Sequence, residues 1–314
     1  MSKPDLSAVV VVGPLRERAQ RSLNHLGAQT AASRMEILVM DLSAEGTPRL
    51  VAPPGVQLDI IRRPGMEHWS WARAEAARRA QSQVVAYIED HCYVAPGWAE
   101  NLLDAYQGPW AAIGYGFTNA NPRTYSSRSS LTMAYSQWLH PRSPGRTRWL
   151  PGQNVSYRRE TLLSFGDRID GLLTPDFSIQ EMMNARGLPL YIESRALAAH
   201  ENFEHLSHLV RATFAFARLL AARRADMKEF TPLKRTLYGL AVLPGAPLIN
   251  IGRLIRTASV HPELAGSLLA ALPVCTATYL ISAIGESLGY LRGEGSAERD
   301  TQYWETTSER IREK

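Results

Sequence analysis

Glu89, Asp90 and His91 follow directly on the apolar run Val84-Val85-Ala86-Tyr87-Ile88. Three side chains able to bind a metal or move a proton therefore stand where the chain leaves the core. A short continuous apolar run reads as a strand buried on both faces of a parallel sheet. In open α/β sheets, ligands bind in the crevice outside the carboxyl ends of the strands, so an acid and imidazole cluster there suggests chemistry. Surface turns carry the same soluble residues, and these three alone do not separate the two readings. Two further strand ends supply polar groups: Gly13-Pro14 with Arg16, and Asp41. The first two ends would flank a nucleotide and the third would hold its phosphates.

The elements that must position these residues follow from periodicity. Ala8 to Val12, Glu36 to Met40 and Val56 to Ile61 read as strands, the last with Val56, Leu58 and Ile60 alternating with polar neighbours. Arg16 to Leu26 and Ser70 to Gln81 read as helices, with Ser70 as N-cap of the second. Strands alternating with helices in this order predict a doubly wound or nucleotide-binding α/β sheet. Val94 to Trp98 turns the chain, Ala99 to Tyr106 has helical spacing, and Trp110 to Tyr115 is a further strand. Thr118 to Arg148, rich in Ser, Arg and turn residues, reads as a mobile loop over a site. A helix from Glu160 to Phe165 and another from Phe177 to Arg186, closed by Gly187, follow. Leu190 to Ile192 is a strand, and His200 comes after the apolar run Ala196 to Ala199.

Composition narrows the classes. With 314 residues, 45% apolar and 21% charged, the chain builds a sizeable core and one large α/β domain with an appendage, or two domains. Cys92 and Cys275 are the two cysteines, far apart and without CxxC spacing, which fits a reducing cytosolic setting and no disulfide framework. The N-terminal apolar run is short and followed at once by charge, unlike a signal peptide. No GxGxxG or P-loop is present, so neither a dinucleotide fold nor a Walker NTPase is indicated. The net charge is +5, and basic residues concentrate between Arg211 and Arg256. Beside apolar segments this points to an anionic membrane surface. No helix-turn-helix, zinc-finger or RNP-like signature argues for nucleic acid.

Taken in order, these stretches resemble the family 2 glycosyltransferases, the inverting group with the GT-A fold, over roughly residues 7 to 224. The Ala8 to Val12 strand and the Met35 to Ser43 segment resemble the family's opening strands, with Asp41 at the acidic position that contacts the nucleotide base. Trp71-Ala72-Arg73-Ala74-Glu75 resembles the A-R-N segment whose arginine approaches the donor. Glu89-Asp90-His91 stands at the D-x-D position, and Gly152 to Arg159 resembles the G-x-N-x-x-x-R-R stretch. Asp176, ahead of Gly187, matches the spacing of the catalytic aspartate of the family's E-D pair. Three departures stand out. EDH is similar to the D-x-H variant in which the histidine and a distant second histidine bind manganese, and His200 falls where that second one would. Pro175 replaces the glutamate before the aspartate, and Asp41 lacks a second acidic neighbour.

The resemblance implies a nucleotide-sugar donor and hexosyl transfer to a glycan or lipid-linked acceptor, as in polysaccharide biosynthesis. A divalent ion, Mn²⁺ or Mg²⁺, would stabilise the departing diphosphate, and a histidine pair favours Mn²⁺. His91, His200 and Glu89 are then the metal ligands, with His205 and His208 as competitors of His200. Pro14, Arg16, Asp41, Arg73, Glu89, Asp90 and Asn154 contact the donor, and Asp176 takes the acceptor's proton. Helix capping is the structural alternative for Asp176. A catalytically silent sugar-nucleotide-binding or scaffold protein, and a nucleotidyltransferase, are the competing functions.

Beyond Thr231 the composition changes. Leu237 to Ile251 is almost uncharged and Leu264 to Gly285 has no charged residue. The chain thus divides into a GT-A catalytic domain over 1–225, an apolar helical region over 226–293 and a charged tail over 294–314. The apolar region either associates with the membrane, interfacially or across it, or packs as a hairpin or dimer interface. The expected location is the cytoplasm, peripheral to or anchored at the inner membrane's cytoplasmic face.

Overall fold

A computed structural model of the protein describes residues 3–66, 68–174 and 177–306. Two compact units emerge: Met1–Ala120 with His140–His200, and Asn121–Leu139 with Glu201–Lys314.

In the first unit, β1 (Leu6–Val12) leads into α1 (Arg16–Gly27), β2 (Met35–Asp41), β3 (Gln57–Arg62), α2 (Trp69–Arg79) and β4 (Val84–Glu89). β1, β2 and β4 are buried along their whole length, as their unbroken apolar runs demand. β3 is half-buried at the sheet edge, which suits its alternating pattern. The four pair in the order β3-β2-β1-β4, all parallel. From β1 the chain builds outward to β3 and then returns to the other side of β1 as β4. The order therefore reverses between β1 and β4, where such sheets open a crevice at their carboxyl ends.

The next elements are β5 (Cys92–Val94), α3 (Trp98–Ala105), β6 (Ala112–Asn119), α4 (Tyr125–Tyr135), β7 (Gly145–Thr147) and β8 (Val155–Arg158). α5 (Arg159–Leu163), α6 (Ile169–Leu172), α7 (Phe177–Ala185) and β9 (Leu190–His200) complete this half of the chain. β8 lies antiparallel between β4 and β6, β6 runs parallel to β9, and β5 and β7 occupy β9's outer edge. The result is one mixed nine-stranded sheet flanked by helices. β4 is thus parallel to one neighbour only, not embedded in an all-parallel sheet.

β9 is longer than periodicity suggests, and β5, β7 and β8 are strands that it does not mark. β9 is a single strand joining the two apolar runs at Leu190 and Ala196, and its register with β6 shifts between Tyr115 and Gly116. A Cβ at Gly116 would come within 2.7 Å of the Ser194 carbonyl oxygen, so the bulge requires glycine there. The shift lets the second half of β9 reach β5, a three-residue strand too short to leave a periodic signal.

Thr118 to Arg148 is not a loop throughout. It contains α4, capped by Thr124, whose hydroxyl accepts from the Ser127 N–H at 3.1 Å. Ser126, Ser127, Ser129 and Ser130 are buried helix residues, not the solvated serines their composition suggests. Nor does Ser70 cap α2: it lies inside the helix, which starts after His68, and its hydroxyl accepts from the Leu173 N–H at 2.9 Å.

The second unit holds α4, α8 (Leu206–Met227), α9 (Pro232–Val260), α10 (Pro262–Arg292) and α11 (Ala297–Thr306). Within this unit α8 packs on α10. Gly285 and Gly289 on α10 lie against the Phe214 and Arg218 carbonyl oxygens of α8, leaving no room for a Cβ. α9 and α10 are two long apolar helices that continue through Pro244, Pro247 and Pro273.

Candidate active site

β4 ends at Glu89, and the turn through Asp90 and His91 leads straight into β5. In the β5–β9 ladder, Cys92 is paired with His200. Two imidazoles and a carboxylate from distant parts of the chain are brought together in this way. The His200 Nε2 lies 3.4 Å from Glu89 Oε2, and the His91 Nε2 lies 3.9 Å from it. The ligand atoms offered by the three residues all fall within 4.8 Å of one another, and all three side chains are buried. Two atoms each about 2.1 Å from a single ion stand roughly 3–4.2 Å apart, so both spacings suit a shared cation. Among the described residues, His205 and His208 are not members of this group. In the second unit their rings lie 5.0 Å apart, tilted by 54°, with Trp304 5.1 Å from His208.

Around the cluster the other predicted residues hold it in place. Asn154, fully buried just before β8, accepts the Glu89 backbone N–H at 2.9 Å and donates to Glu89 Oε2 at 2.5 Å. Just before it, Gln153 adopts a left-handed backbone with φ of 58°. Such a conformation is uncommon outside glycine and clusters at functional sites. Asp90 is buried and bonds Arg18 at 2.8 Å and His91 Nδ1 at 3.1 Å.

At the neighbouring strand ends, Arg16 grips Asp41 with both terminal guanidinium nitrogens, at 3.1 and 2.7 Å. Ser43 donates to the same carboxylate from its hydroxyl and its N–H, at 2.6 and 3.1 Å. Arg62, at the end of β3, stands 3.8 Å away. Burial alone would raise the Asp41 pKa, but the bonds from Arg16 and Ser43 outweigh it and hold the carboxyl below its ordinary value. Pro14 is exposed at the end of β1.

Arg73, buried on α2, donates to Gln153 Oε1 at 2.7 Å and to the Leu173 carbonyl at 3.0 Å. With Ser70 it fixes the chain just ahead of Pro175 and Asp176. Those two residues lie outside the described ones, and α7 beyond them ends at Ala185, two residues before Gly187, whose φ is 71°.

Three residues of this neighbourhood escape a reading of the sequence: Gln153, Arg18 and Arg62. Gln153 sits inside the Gly152 to Arg159 motif, and its φ is visible only in the folded chain. Arg18 and Arg62 are two among many arginines, and nothing in their spacing marks their carboxylate partners.

Comparison with known proteins places the fold. Residues 15–167, just under half of the chain, match the family described as Glycosyl transferase family 2. No curated protein matches the chain. Among solved structures, the mannosyltransferase PcManGT from Pyrobaculum calidifontis, in complex with GDP-Man and Mn²⁺, is similar. The match has a TM-score of 0.54 at 18% identity and covers 91% of this chain and 88% of that one. TarS 1–349 from S. aureus, in complex with UDP, matches with a TM-score of 0.48 at 12% identity, covering 90% of each chain. The sheet and its flanking helices are thus of the GT-A kind. Residues 15–167 thus match family 2 glycosyltransferases, and the chain is a glycosyltransferase.

Proposed function

We propose that the protein is an inverting, divalent-cation-dependent glycosyltransferase that moves a hexosyl group from a nucleotide-sugar donor to a glycan or lipid-linked acceptor. The observation that carries this reading is the buried Glu89–His91–His200 group at the carboxyl end of the sheet, beside the ends of β1 and β2. A divalent ion held by these three residues supplies Lewis-acid stabilisation of the departing diphosphate. The two imidazoles favour Mn²⁺ over Mg²⁺, and the fold is shared with a mannosyltransferase solved with GDP-Man and Mn²⁺.

The chain's own groups do the rest. Asp41, with Arg16 beside it and Pro14 at the end of β1, contacts the nucleoside. Arg73, buried with one guanidinium nitrogen on Gln153, lines the donor side. Asp176 takes the proton of the acceptor hydroxyl as it attacks. One base with no second carboxylate acting as nucleophile gives a single displacement and inversion at the anomeric carbon.

The second unit supports a membrane setting. α9 and α10 span 29 and 31 residues, about 45 Å each, enough to cross a bilayer. On α9 most of the large apolar side chains are exposed. Gly239, Pro247, Leu254 and Ala258 are buried, while Leu240 and Leu248 are 59% and 69% exposed. Exposed leucines along a long apolar helix suit contact with lipid. Lys234, Arg235, Arg253 and Arg256 on the same helix suit anionic headgroups. We place the enzyme at the cytoplasmic face of the inner membrane, in polysaccharide biosynthesis.

The test is incubation of the full chain with a panel of nucleotide sugars, Mn²⁺ and lipid-linked acceptors, with product anomers read by NMR. Transfer with inversion supports the proposal, and transfer with retention contradicts its mechanism.

A further inference from the structure

Asp90, the middle residue of the Glu89-Asp90-His91 turn, stands first among the residues that a donor or a cation could touch. The fold engages it with two neighbouring side chains. It is 3% exposed, and its Oδ1 receives two groups: the Arg18 guanidinium at 2.8 Å and the His91 Nδ1 at 3.1 Å. Arg18 is itself buried on α1, two residues beyond Arg16. Residues two apart on a helix point to different sides. α1 thus presents Arg16 to Asp41 at the end of β2 and Arg18 to Asp90 beyond the end of β4.

A carboxylate engaged by a guanidinium offers only acceptor oxygens to its other neighbour. His91 Nδ1 must then be the donor, and the lone pair of the neutral ring is left on Nε2. That is the atom that faces Glu89 Oε2. Metal-binding histidines are commonly held in this way, the second ring nitrogen donating to a carboxylate that fixes tautomer and orientation. We infer that Arg18 and Asp90 are positioning residues that set the tautomer and direction of the His91 ring for cation binding, and that Asp90 itself contacts neither the cation nor the donor. This rests on the proposed cation site at Glu89, His91 and His200.

Two measurements on the full chain test it. The first needs no metal and no variant at Asp90. Long-range ¹H–¹⁵N spectra of the histidine-labelled, metal-free protein, with the His91 signals identified by their loss in His91→Gln, report which ring nitrogen holds the proton. The expected result is a proton on Nδ1; a neutral ring protonated on Nε2 overturns the inference.

The second is titration with Mn²⁺ alone, followed by electron paramagnetic resonance, for the wild type, Asp90→Ala and Asp90→Asn. Asn keeps an oxygen that accepts from Nδ1, whereas Ala keeps none. Loss of an outer carboxylate partner lowers metal affinity about 10–100-fold. That loss is expected in Asp90→Ala, with Asp90→Asn retaining most of the affinity. Equal, severe losses in both variants would make Asp90 a direct ligand, and unchanged affinity in Asp90→Ala would leave it no role; either result overturns the inference. Failure of the wild type to bind Mn²⁺ overturns the cation site itself, and the tautomer measurement still decides the role of Asp90.

Discussion

The imidazoles of His91 and His200 meet edge to face, with 4.7 Å between ring centroids and 70° between planes. Neither residue lies in the middle of an element. One closes the turn after β4, and the other is the last residue of β9. Their meeting depends on β5, a strand of three residues, and on the bulge that turns the end of β9 toward it. The site is therefore a product of strand pairing at one end of the sheet, and its predictions concern the residues that keep that end in order.

Asn154 is expected to act through Glu89. Its amide satisfies both the backbone N–H and one carboxylate oxygen of Glu89, so Asn154→Ala removes two bonds to a single ligand residue. Mn²⁺ affinity should fall about 10–100-fold, as for other losses of a ligand's supporting partner. Calorimetric titration of the variant checks this, and wild-type affinity would show that Glu89 needs no such support.

Asp41 governs an acid limb of stability. Its folded carboxyl titrates below the ordinary value, so its contribution is fully present above that value, about pH 3.9. The contribution is lost as pH falls through the lower, folded value. Asp41→Asn should cost about 1–3 kcal/mol near pH 7, the range for a charged hydrogen bond lost inside a protein. The two proteins should converge in urea melts as the pH drops below the folded value. A gap that persists at the lowest pH would mean that Asn fails by shape and not by charge.

Most of the sheet was legible because its strands are buried on both faces and carry unbroken apolar runs: Val9 to Val12, Ile37 to Met40 and Val84 to Ile88 all lie within observed strands. What escaped the sequence had no periodicity to read. β5 is too short, and the serines of α4 look solvated but are buried in a helix. Ser70 resembles a cap and instead ties α2 to Leu173. At the site, Glu89, His91 and His200 could be picked out by residue type and place along the chain. Their supports could not, since the partners of Asp90 and Asp41 are arginines of α1 that only the packing of that helix against the strand ends reveals.

Asp176→Asn should abolish transfer while nucleotide-sugar binding stays within a few-fold of wild type. General-base assistance is commonly worth about 10²–10⁴-fold in rate. Turnover assays paired with donor titration separate the two effects. Normal turnover by the variant would remove the base assignment.

The outer face of α9 should carry the protein to lipid. Leu240, Leu243 and Leu248 are exposed on that face. In flotation with vesicles containing anionic phospholipid, the full chain is expected in the lipid fraction. A variant combining Leu240→Glu, Leu243→Glu and Leu248→Glu should stay largely at the bottom of the gradient. Equal flotation of both would place the lipid contact elsewhere.

The central claim is that Glu89, His91 and His200 hold one divalent cation that serves a nucleoside diphosphate. Its most direct test is calorimetric titration of nucleoside diphosphates into the wild type and His91→Ala, each with Mn²⁺ and with chelator. The account predicts binding to the wild type that depends on Mn²⁺ and is lost or strongly weakened in His91→Ala. Binding of equal strength in all four conditions would contradict it.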